Sequence, residues 1–369
     1  MEFTIKKSDI ERSLQLLQGV VETKITMPIL ANILIDAVDG GLRLRATDLD
    51  VGLETFAECE VKSHGSTSVA VKKLYDIVKS LPDGDIQFEK TAESGVVLKG
   101  GTSRLRLVDM PVVDFPHLPV FPEDRVVKIS AALLSDMFEK IAFNIAPDDL
   151  PQHKGTLFVV RPDSLTLVAT DGHRLTHIRK TGESMQLPDD IEEYRVLLSK
   201  KAIHTIQRIE ADGDIEFALG ENHVFFRMGS KTLSSRLMEM KFPKYEKVIP
   251  RDNDRLLKVS VGQLLPAVRT ATLFTSDRLR PTLLGLSEEG VTVTALSAEI
   301  GEGRVLVPGE YTGEKMEIRF NGQYLIDFLQ AAGTEDVRIE MKDPERATLV
   351  RPAGPTPYEY FHVLMPIKM

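Results

Sequence analysis

The chain repeats one pattern three times along its 369 residues, and this repetition restricts the fold more than any other feature. Each copy has an apolar strand, a polar or basic helix start, an apolar helix, an acidic turn and a second strand. The three segments are residues 68–89, 196–217 and 318–339. The step from Lys72 to Lys200 is 128 residues, and the step from Lys200 to Asn321 is 121 residues. A repeat unit of this length has the size of a whole domain, so we expect three similar domains in tandem.

Other elements recur in the same order. Each third opens with a short strand followed by a helix, and the predicted helices span residues 9–20, 131–143 and 262–274. A strand pair follows, at residues 32–48, 155–171 and 282–298. Its second strand ends in Ala-Thr-Asp-Leu-Asp at 46–50, in Ala-Thr-Asp-Gly-His at 169–173 and in Ala-Leu-Ser-Ala-Glu at 295–299. We therefore expect the domains to span residues 1–123, 124–252 and 253–369.

The predicted helices are amphipathic. In the first, one stripe of a 3.6-residue period is formed by Ile10, Leu14, Leu17 and Val21. The second helices of the three copies are expected at 72–81, 200–209 and 321–332, the first two with lysines outside. The remaining segments alternate apolar and polar residues between Gly, Asp and Pro, which is typical of strands. Two helices packed on antiparallel sheets in each copy give an α+β fold.

The helix starts carry local signals. Ser8 with Glu11, and Ser260 with Gln263, predict capping boxes. Pro266 falls inside the first helix of the third copy, where proline removes a hydrogen bond and clashes with the preceding turn. We expect a kink or a late helix start there.

Composition excludes several classes of protein. Cys59 is the single cysteine, so an intramolecular disulfide and a cysteine-based metal cluster are excluded. The first residues lack a signal peptide's apolar core, and no run of about 18 apolar residues occurs, so we expect a cytoplasmic protein. The net charge of −9 argues against a protein that coats nucleic acid with its whole surface. A local basic face stays compatible with that charge, because salt screens distant charges.

A search for catalytic chemistry finds one cluster, Asp171-Gly-His173. An Asp and a His beside a turn are typical of a hydrolase dyad. The chain lacks a Gly-x-Ser-x-Gly elbow, a phosphate-binding glycine loop and metal-ligand histidine spacings. We therefore expect no active site, metal or cofactor, and favour a structural or binding role for this cluster. An enzyme that uses Asp171 and His173 is the alternative.

Paired lysines recur at equivalent helix starts, Lys72-Lys73 and Lys200-Lys201. A single surface lysine pair is ordinary. In a ring of repeated domains, however, equivalent helices would line the same wall and give one positive surface in an acidic protein. A positive surface of this kind suits the binding of DNA. A three-domain scaffold that does not bind DNA is the remaining alternative.

Seven segments occur in the order of one known family. They are residues 27–34, 46–49, 114–118, 169–175 and 242–250, then Phe320-Asn321 with Tyr324, and residues 363–369. Through these segments the chain resembles the bacterial sliding clamp family (DNA polymerase III beta subunit) over essentially its whole length.

The resemblance implies a head-to-tail homodimer that closes into a six-domain ring around duplex DNA and tethers the replicative polymerase. It places the first domain of one subunit against the third domain of the other, with Leu105 and Leu107 near Leu273 and Phe274. Non-sequence-specific contacts to DNA phosphates would permit sliding. The implied DNA-contacting residues are Lys24, Lys72, Lys73, Gln152, His153, Lys200 and Lys201.

The family also has a peptide-binding pocket between its second and third domains, used by polymerases, the clamp loader and other proteins with a clamp-binding motif. The matching positions are Thr170, Gly172, His173, Arg174, Leu175, Pro243, Lys247, Val248, Asn321, Tyr324, Val363, Leu364, Met365, Pro366, Ile367 and Lys368. Apolar side chains among them would accept a partner's hydrophobic residues, and methionine suits a surface with several ligands. The sequence departs from a well-known member at His153, Leu279 and Glu345, and Lys247 replaces an arginine.

Overall fold

The structure, a computed structural model, describes residues 1–21, 27–91, 95–146, 155–238, 242–275 and 280–368. The chain divides into two compact units. Unit 1 comprises Met1–Ser135, Gln186–Asp190 and Lys201–Met238, and unit 2 comprises Asp136–Met185, Ile191–Lys200 and Glu239–Met369. The first copy of the repeat therefore lies in unit 1, the third lies in unit 2, and the middle copy is divided between them.

Unit 1 contains two antiparallel sheets. The first is built from β1 (Glu2–Lys6), β5 (Glu60–Ser63), β7 (Asp85–Thr91), β8 (Gly95–Gly100) and β9 (Ser103–Leu107), in the order β5-β1-β7-β8-β9. The second is built from β2 (Asn32–Val38), β3 (Gly41–Thr47), β4 (Val51–Glu58), β6 (Gly65–Ala70), β10 (Val126–Ser130), β15 (Asp214–Leu219), β16 (His223–Met228) and β17 (Lys231–Arg236). Its order is β10-β15-β16-β17-β4-β3-β2-β6, so strands from two copies share one sheet.

Helices cover these sheets. Helix α1 (Lys7–Gln18) packs on α2 (Val71–Ser80), and the middle copy supplies α3 (Ala131–Glu139) and α4 (Lys200–Arg208). The stripe of α1 is buried as predicted through Leu17, but Val20 is buried in place of Val21 because the helix ends at Gln18. Beneath α1, the rings of Phe3 and Phe88 stack with centroids 4.6 Å apart.

Unit 2 contains one antiparallel sheet of twelve strands. Its strands are β11 (Thr156–Arg161), β12 (Ser164–Thr170), β13 (Arg174–Thr181), β14 (Tyr194–Leu198), β18 (Arg255–Ser260), β19 (Pro281–Ser287), β20 (Gly290–Ser297), β21 (Gly301–Thr312), β22 (Met316–Asn321), β23 (Asp336–Met341), β24 (Thr348–Pro352) and β25 (Glu359–Leu364). The order is β14-β11-β12-β13-β25-β24-β23-β18-β21-β20-β19-β22. Helices α5 (Val261–Thr272) and α6 (Gly322–Ala331) pack on each other.

The triplication is visible in the backbone. Strands β1 and β7, β10 and β15, and β18 and β23 pair antiparallel at the same place in each copy. The first residue of the following helix then donates its N–H to the carbonyl of the residue just before the start of the partner strand. These bonds are Lys7 N–H to Gly84 O (2.9 Å), Ala131 N–H to Gly213 O (2.9 Å) and Val261 N–H to Glu335 O (2.8 Å). The predicted α+β fold of three similar copies is confirmed.

Both predicted capping boxes are wrong. The residues before α1 and α5, Lys6 and Ser260, make no side-chain cap hydrogen bond, and the Ser8 hydroxyl donates to the Asp9 carboxylate instead (3.2 Å). Helix α1 begins at Lys7, so Ser8 lies inside the first turn and the capping position holds Lys6, whose side chain has no acceptor. At α5, Ser260 stands at the capping position, but its hydroxyl accepts no helical N–H.

Two predicted helix limits are also corrected. Helix α5 begins at Val261 and runs through Pro266, so the late start is wrong. Its buried face includes Leu264 and Val268, and this apolar burial offsets the hydrogen bond that proline cannot make. Helix α3 ends at Glu139, short of the predicted 143, and residues Ala142–Asn144 form a separate 3-10 turn.

Among the described residues, the longest helices have 12 residues. None is long and apolar enough to cross a membrane.

Candidate functional site

The turn between β12 and β13 is held by its own side chains. The Thr170 hydroxyl donates to the Arg174 carbonyl (2.7 Å) and accepts the Gly172 N–H (3.1 Å). One oxygen of Asp171 accepts the N–H groups of His173 and Arg174, each at 3.0 Å. Gly172 has φ +88°, a left-handed conformation in which a side chain is disfavoured. Asp171-Gly-His173, for which the sequence analysis favoured a structural or binding role, is therefore part of a turn fixed by its own hydrogen bonds.

Arg174 connects this turn to the rest of unit 2. Its side chain is only 9% exposed, and its guanidinium donates to the carboxylates of Asp171 (3.0 Å) and Asp327 (2.7 Å). It also donates to the Phe143 carbonyl (3.0 Å). The guanidinium carbon lies 4.1 Å from the centre of the Tyr324 ring, within cation–π range. A nearly buried charge with two carboxylate partners fixes the turn against α6.

Helix α6 is ordered around the same contacts. Asn321 caps it by accepting the Gln323 N–H (2.9 Å), and Gln323 donates from its side chain to Asp327 (2.7 Å). Burial raises the pKa of Tyr324 above its ordinary value, so the phenol stays neutral beside Arg174. Asp327 and Phe143 were missed by the sequence analysis. No local pattern links Arg174 to a carboxylate that lies 153 residues further along the chain.

The strand pairing brings the C-terminal segment to the turn. Strand β13 pairs with β25 so that Leu175 lies opposite Val363, and Met365 N–H donates to His173 O (3.0 Å). Leu175, Val363 and Leu364 are almost fully buried, so they contribute little accessible surface. Met365 is 46% exposed and Val248 is 50% exposed. The accessible apolar surface is therefore narrower than the sequence analysis expected.

Met365 and Val248 line an open depression of about 670 Å³. The other lining residues are Glu246, Lys247, Ile249, Pro250, Arg251, Asp252, Glu345, Arg346 and Ala347. Its rim is charged with both signs, and Arg346 pairs with Asp252 at 3.1 Å. An apolar patch with a mixed-charge rim suits an extended peptide with one or two apolar side chains. Of these residues, Glu246, 249–252, Arg346 and Ala347 were not among the predicted site residues, since no local pattern marks them as part of a binding surface.

The predicted DNA-contacting lysines differ in their surroundings. Lys72 and Lys73 lie exposed on α2, opposite its buried face of Leu74 and Val78. Lys201 is 27% exposed, and its ammonium pairs with the carboxylate of Asp48, which is 5% exposed. Lys200 is half-buried at the start of α4. Lys24, Gln152, His153 and Leu279 lie outside the described residues.

The predicted interface residues lie beside two strand edges. In unit 1, Leu105 and Leu107 are half-buried on β9, the last strand of its sheet, and Arg104 and Arg106 alternate with them on the exposed side.

In unit 2, Leu273 is 73% exposed, and Phe274 packs so closely on Gly303 that a Cβ there would come within 2.5 Å of its ring. Strand β21 pairs with β20 through residues 301–308 and with β18 only through 309–312. No described strand pairs with the other edge of 301–307. Such an edge is a template for another strand.

The geometry gives no support to the hydrolase alternative. Both Asp171 oxygens are engaged by backbone N–H groups and by Arg174, so the carboxylate does not orient the His173 ring. In the described part of the chain, no group of three or more His, Cys, Asp or Glu side chains is arranged to hold a metal ion.

Comparison with known sequences gives matches over nearly the whole chain. Three family models match in order: DNA polymerase III beta subunit, N-terminal domain at residues 1–119, central domain at 128–244 and C-terminal domain at 246–368. The chain is 33% identical over 373 residues to the beta sliding clamp of Pseudomonas aeruginosa. It is 29% identical over 374 residues to that of Escherichia coli. Each alignment covers 100% of both chains.

Solved structures are similar over the same length. The DNA polymerase III subunit beta from Pseudomonas aeruginosa has a TM-score of 0.92 at 33% identity and covers 100% of both chains. A sliding clamp from Bartonella birtlesii, bound to griselimycin, has a TM-score of 0.93 at 30% identity, also with 100% of both chains covered.

Proposed function

The chain belongs to the DNA polymerase III beta subunit family, the bacterial sliding clamps, and on this premise we propose how it acts as a processivity factor. It is a non-catalytic accessory subunit of DNA polymerase III. It forms a homodimeric ring around duplex DNA and binds the polymerase. The clamp loader and other proteins with a clamp-binding motif are its further partners. We place its function in the cytoplasm, together with these partners and the chromosome.

Strand edges support a head-to-tail dimer. In unit 1, β4 is covered by β17, with Leu233 opposite Leu53. In unit 2, the equivalent β13 is covered by β25, with His362 opposite Thr176. The third pair of equivalent strands is β21 and β9, which do not pair with each other in this chain. A second copy supplies the missing partner, so each ring would contain two β9–β21 seams.

The register of that seam follows from the other two. Applied to β9 and β21, it places Leu105 opposite Gly303 and Arg106 opposite Glu302, so that a guanidinium faces a carboxylate across the seam. The apolar residues Leu105, Leu107, Leu273 and Phe274 would then be covered at the seam. A native mass of twice 41.1 kDa is the expected result, and a mass of 41.1 kDa at micromolar concentration would refute the dimer.

For DNA, we assign phosphate contacts to Lys72, Lys73 and Lys200, and to three residues outside the described ranges: Lys24, Gln152 and His153. Lysine contacts to phosphate exchange readily and carry no sequence information, so the ring can slide. Lys201 is proposed as a weaker contact because its ammonium already pairs with Asp48. Retention on DNA is topological, since a closed ring cannot leave sideways.

Retention tests this mechanism. After a clamp loader and ATP have acted, the protein should stay on nicked circular DNA and run off the same DNA once it is made linear. Equal retention on both would refute it. In equilibrium DNA binding, a plot of log K against log salt concentration has a negative slope. Replacing Lys72 or Lys73 with Gln should reduce the magnitude of this slope by about 0.9 for each phosphate contact that is lost. Lys201→Gln is the matched comparison, with a smaller expected change.

For partner peptides, we propose the surface around Met365 and Val248, supported by the Arg174 turn. The exposed methionine adapts to different apolar side chains, and the fixed turn presents backbone groups without further ordering. Met365→Glu should weaken binding of a fluorescent clamp-binding peptide about tenfold, since it replaces a central apolar contact with a charge. Val113→Glu in unit 1 is the matched control, because Val113 is 88% exposed. Griselimycin should compete with the peptide, and equal weakening by both substitutions would refute the site.

A further inference from the structure

One position has the same backbone setting in all three copies but a different side chain. It is the first residue of each copy's first helix: Lys7, Ala131 and Val261. The N–H of each bonds a carbonyl at the start of the partner strand, at 2.9, 2.9 and 2.8 Å respectively. The three side chains therefore start from equivalent places and can be compared directly.

In the first copy this place holds an ammonium group. Lys7 Nζ donates to the Leu81 carbonyl at 2.6 Å and lies 3.3 Å from the Asp83 carboxylate. Leu81 directly follows the last residue of α2, so the ammonium lies where a helix C-terminus carries partial negative charge. The Lys7 side chain is only 14% exposed, because its aliphatic part is covered by the protein.

In the second copy the same surroundings are present without the lysine. Ile209 follows the last residue of α4 as Leu81 follows the last residue of α2. Ile209 N–H bonds Ile206 O (3.0 Å), and Leu81 N–H bonds Val78 O (3.2 Å). The following turn is one residue longer and carries Asp212 before its glycine, as Asp83 precedes Gly84.

Ala131 is too short to reach either acceptor, and a partly open cavity of about 740 Å³ lies beside it. The cavity is lined by Ala131, Ala132, Ser135, Ile206, Ile209 and Asp212, among others. The third copy lacks an acidic residue at this position, since Thr334 stands there and its hydroxyl donates to Asp336 O (2.8 Å).

We propose that the cavity beside Ala131 binds a primary alkylammonium group in the place that Lys7 fills in the first copy. The ammonium would donate to the Ile209 carbonyl and pair with Asp212, and its alkyl chain would lie along Ala131 and Ile206. The ligand class comes from the first copy, in which the equivalent carbonyl and carboxylate hold a lysine ammonium. The source is either a free diamine or a lysine side chain of a partner protein. This inference does not depend on the ring or on the peptide site.

Alanine-methyl NMR of the full-length protein tests the site, because Ala131, Ala132 and Ala211 line it. Titration with n-butylamine should shift these methyl signals saturably, and n-butanol, which lacks the charge, should not. Asp212→Asn should weaken the response about fivefold, the factor expected for loss of one exposed ion pair. Asp214→Asn is the charge-matched control, because Asp214 lies on β15 outside the cavity lining, and it should bind as the wild type does.

Filling the cavity gives a second readout. Ala131→Lys should abolish the butylamine response and raise the melting temperature, since its own ammonium takes the site. Tighter binding of 1,4-diaminobutane than of N-acetyl-lysine methylamide would identify free diamines as the source, and the reverse would identify a partner's lysine. Absence of saturable shifts, an equal response to n-butanol, or an unchanged response in Asp212→Asn would overturn the proposal.

Discussion

Two turns of this protein have the same backbone frame and different surroundings. In unit 1, Thr47 accepts the Leu49 N–H (3.0 Å) and Asp48 accepts the Asp50 N–H (3.0 Å). In unit 2, the Thr170–Arg174 turn makes the same bonds. The third residue is left-handed in both, with φ +82° at Leu49 and +88° at Gly172. The Thr-Asp pair therefore sets the turn, whichever residues follow.

What differs is the strand that leaves each turn. In unit 1, Gly52 gives room to Leu118 and Ser234, and a Cβ at Gly52 would come within 3.1 Å of Leu118 and 2.7 Å of Ser234. The chain's own segment fills this place, and a cavity of about 290 Å³ remains. In unit 2 the equivalent residue is Leu175, which is itself buried, and an open depression of about 670 Å³ lies beyond it, at Met365 and Val248. The repeated frame thus supports a filled groove in one unit and an accessible one in the other.

The largest expected effect concerns the cations that pair with the aspartates of the two turns, Arg174 in unit 2 and Lys201 in unit 1. Arg174→Ala should lower the free energy of unfolding by about 3 kcal/mol, because two largely buried carboxylates lose their shared partner. Lys201→Ala, which removes the partner of Asp48 in unit 1, should cost less, since Lys201 is three times as exposed as Arg174 (27% against 9%). Urea denaturation of both variants measures the difference. A smaller loss for Arg174→Ala than for Lys201→Ala would contradict the contrast.

Giving unit 1 the residue of unit 2 should also be costly. Gly52→Leu forces a side chain against Leu118 and Ser234, and we expect a loss of about 2 kcal/mol from overpacking. Adding Leu118→Ala should recover part of that loss, which a double-mutant cycle would measure. Purely additive effects would show that Leu118 does not fill the place of Leu175.

Acid should weaken unit 2 through its buried histidines. Burial, with the nearby Arg174 charge, holds the pKa of His362 well below its ordinary value, and burial also lowers the pKa of His177. The native state then binds fewer protons than the unfolded chain. Each buried neutral histidine therefore gives its full contribution to the free energy of unfolding above about pH 6.5. Below that pH the contribution declines, by at most about 1.4 kcal/mol per pH unit for each histidine.

In His362→Gln, the free energy of unfolding should therefore fall less steeply as the pH is lowered from 6.5 to 5.5. The slope should be smaller than that of the wild type by at most about 1.4 kcal/mol per pH unit, whatever the effect of the substitution on stability at pH 7.5. Denaturation at several pH values compares the slopes. Equal slopes in variant and wild type would show that His362 does not contribute to the loss of stability in acid.

The smallest expected effect is at the left-handed residue. Leu49→Gly should stabilise the protein by up to about 1 kcal/mol, because strain at a non-glycine residue is removed while the unfolded chain gains some freedom. Gly172→Ala is the mirror experiment and should destabilise it by a similar amount. A loss of stability in Leu49→Gly would mean that the exposed leucine side chain makes contacts that outweigh the strain.

The sequence was sufficient to predict the threefold repeat, the α+β class and most elements, since periodicity and turn residues are local signals. It was insufficient where contacts join distant segments. The Arg174–Asp327 and Lys201–Asp48 ion pairs each join residues that lie 153 positions apart in the sequence. The sequence analysis therefore predicted neither that Arg174 holds the turn against α6 nor that Asp48 pairs with Lys201, one of the predicted DNA contacts. The capping box at Ser8 failed because strand β1 leads directly into α1 at Lys7, which leaves Ser8 inside the first turn.

The central claim is that the unpaired edges of β9 and β21 meet between two copies in the register of the other two seams. Oxidation of the double variant Arg106→Cys, Glu302→Cys should give a disulfide-linked species of twice 41.1 kDa, because these two exposed residues lie opposite each other in that register. Cys59 should stay out of the reaction, since burial raises the pKa of its thiol to about 11. The shifted pair Arg106→Cys, Leu306→Cys should not link, because Leu306 lies four residues further along β21 on the same exposed side. No linkage in the first pair, or equal linkage in both, would contradict the account.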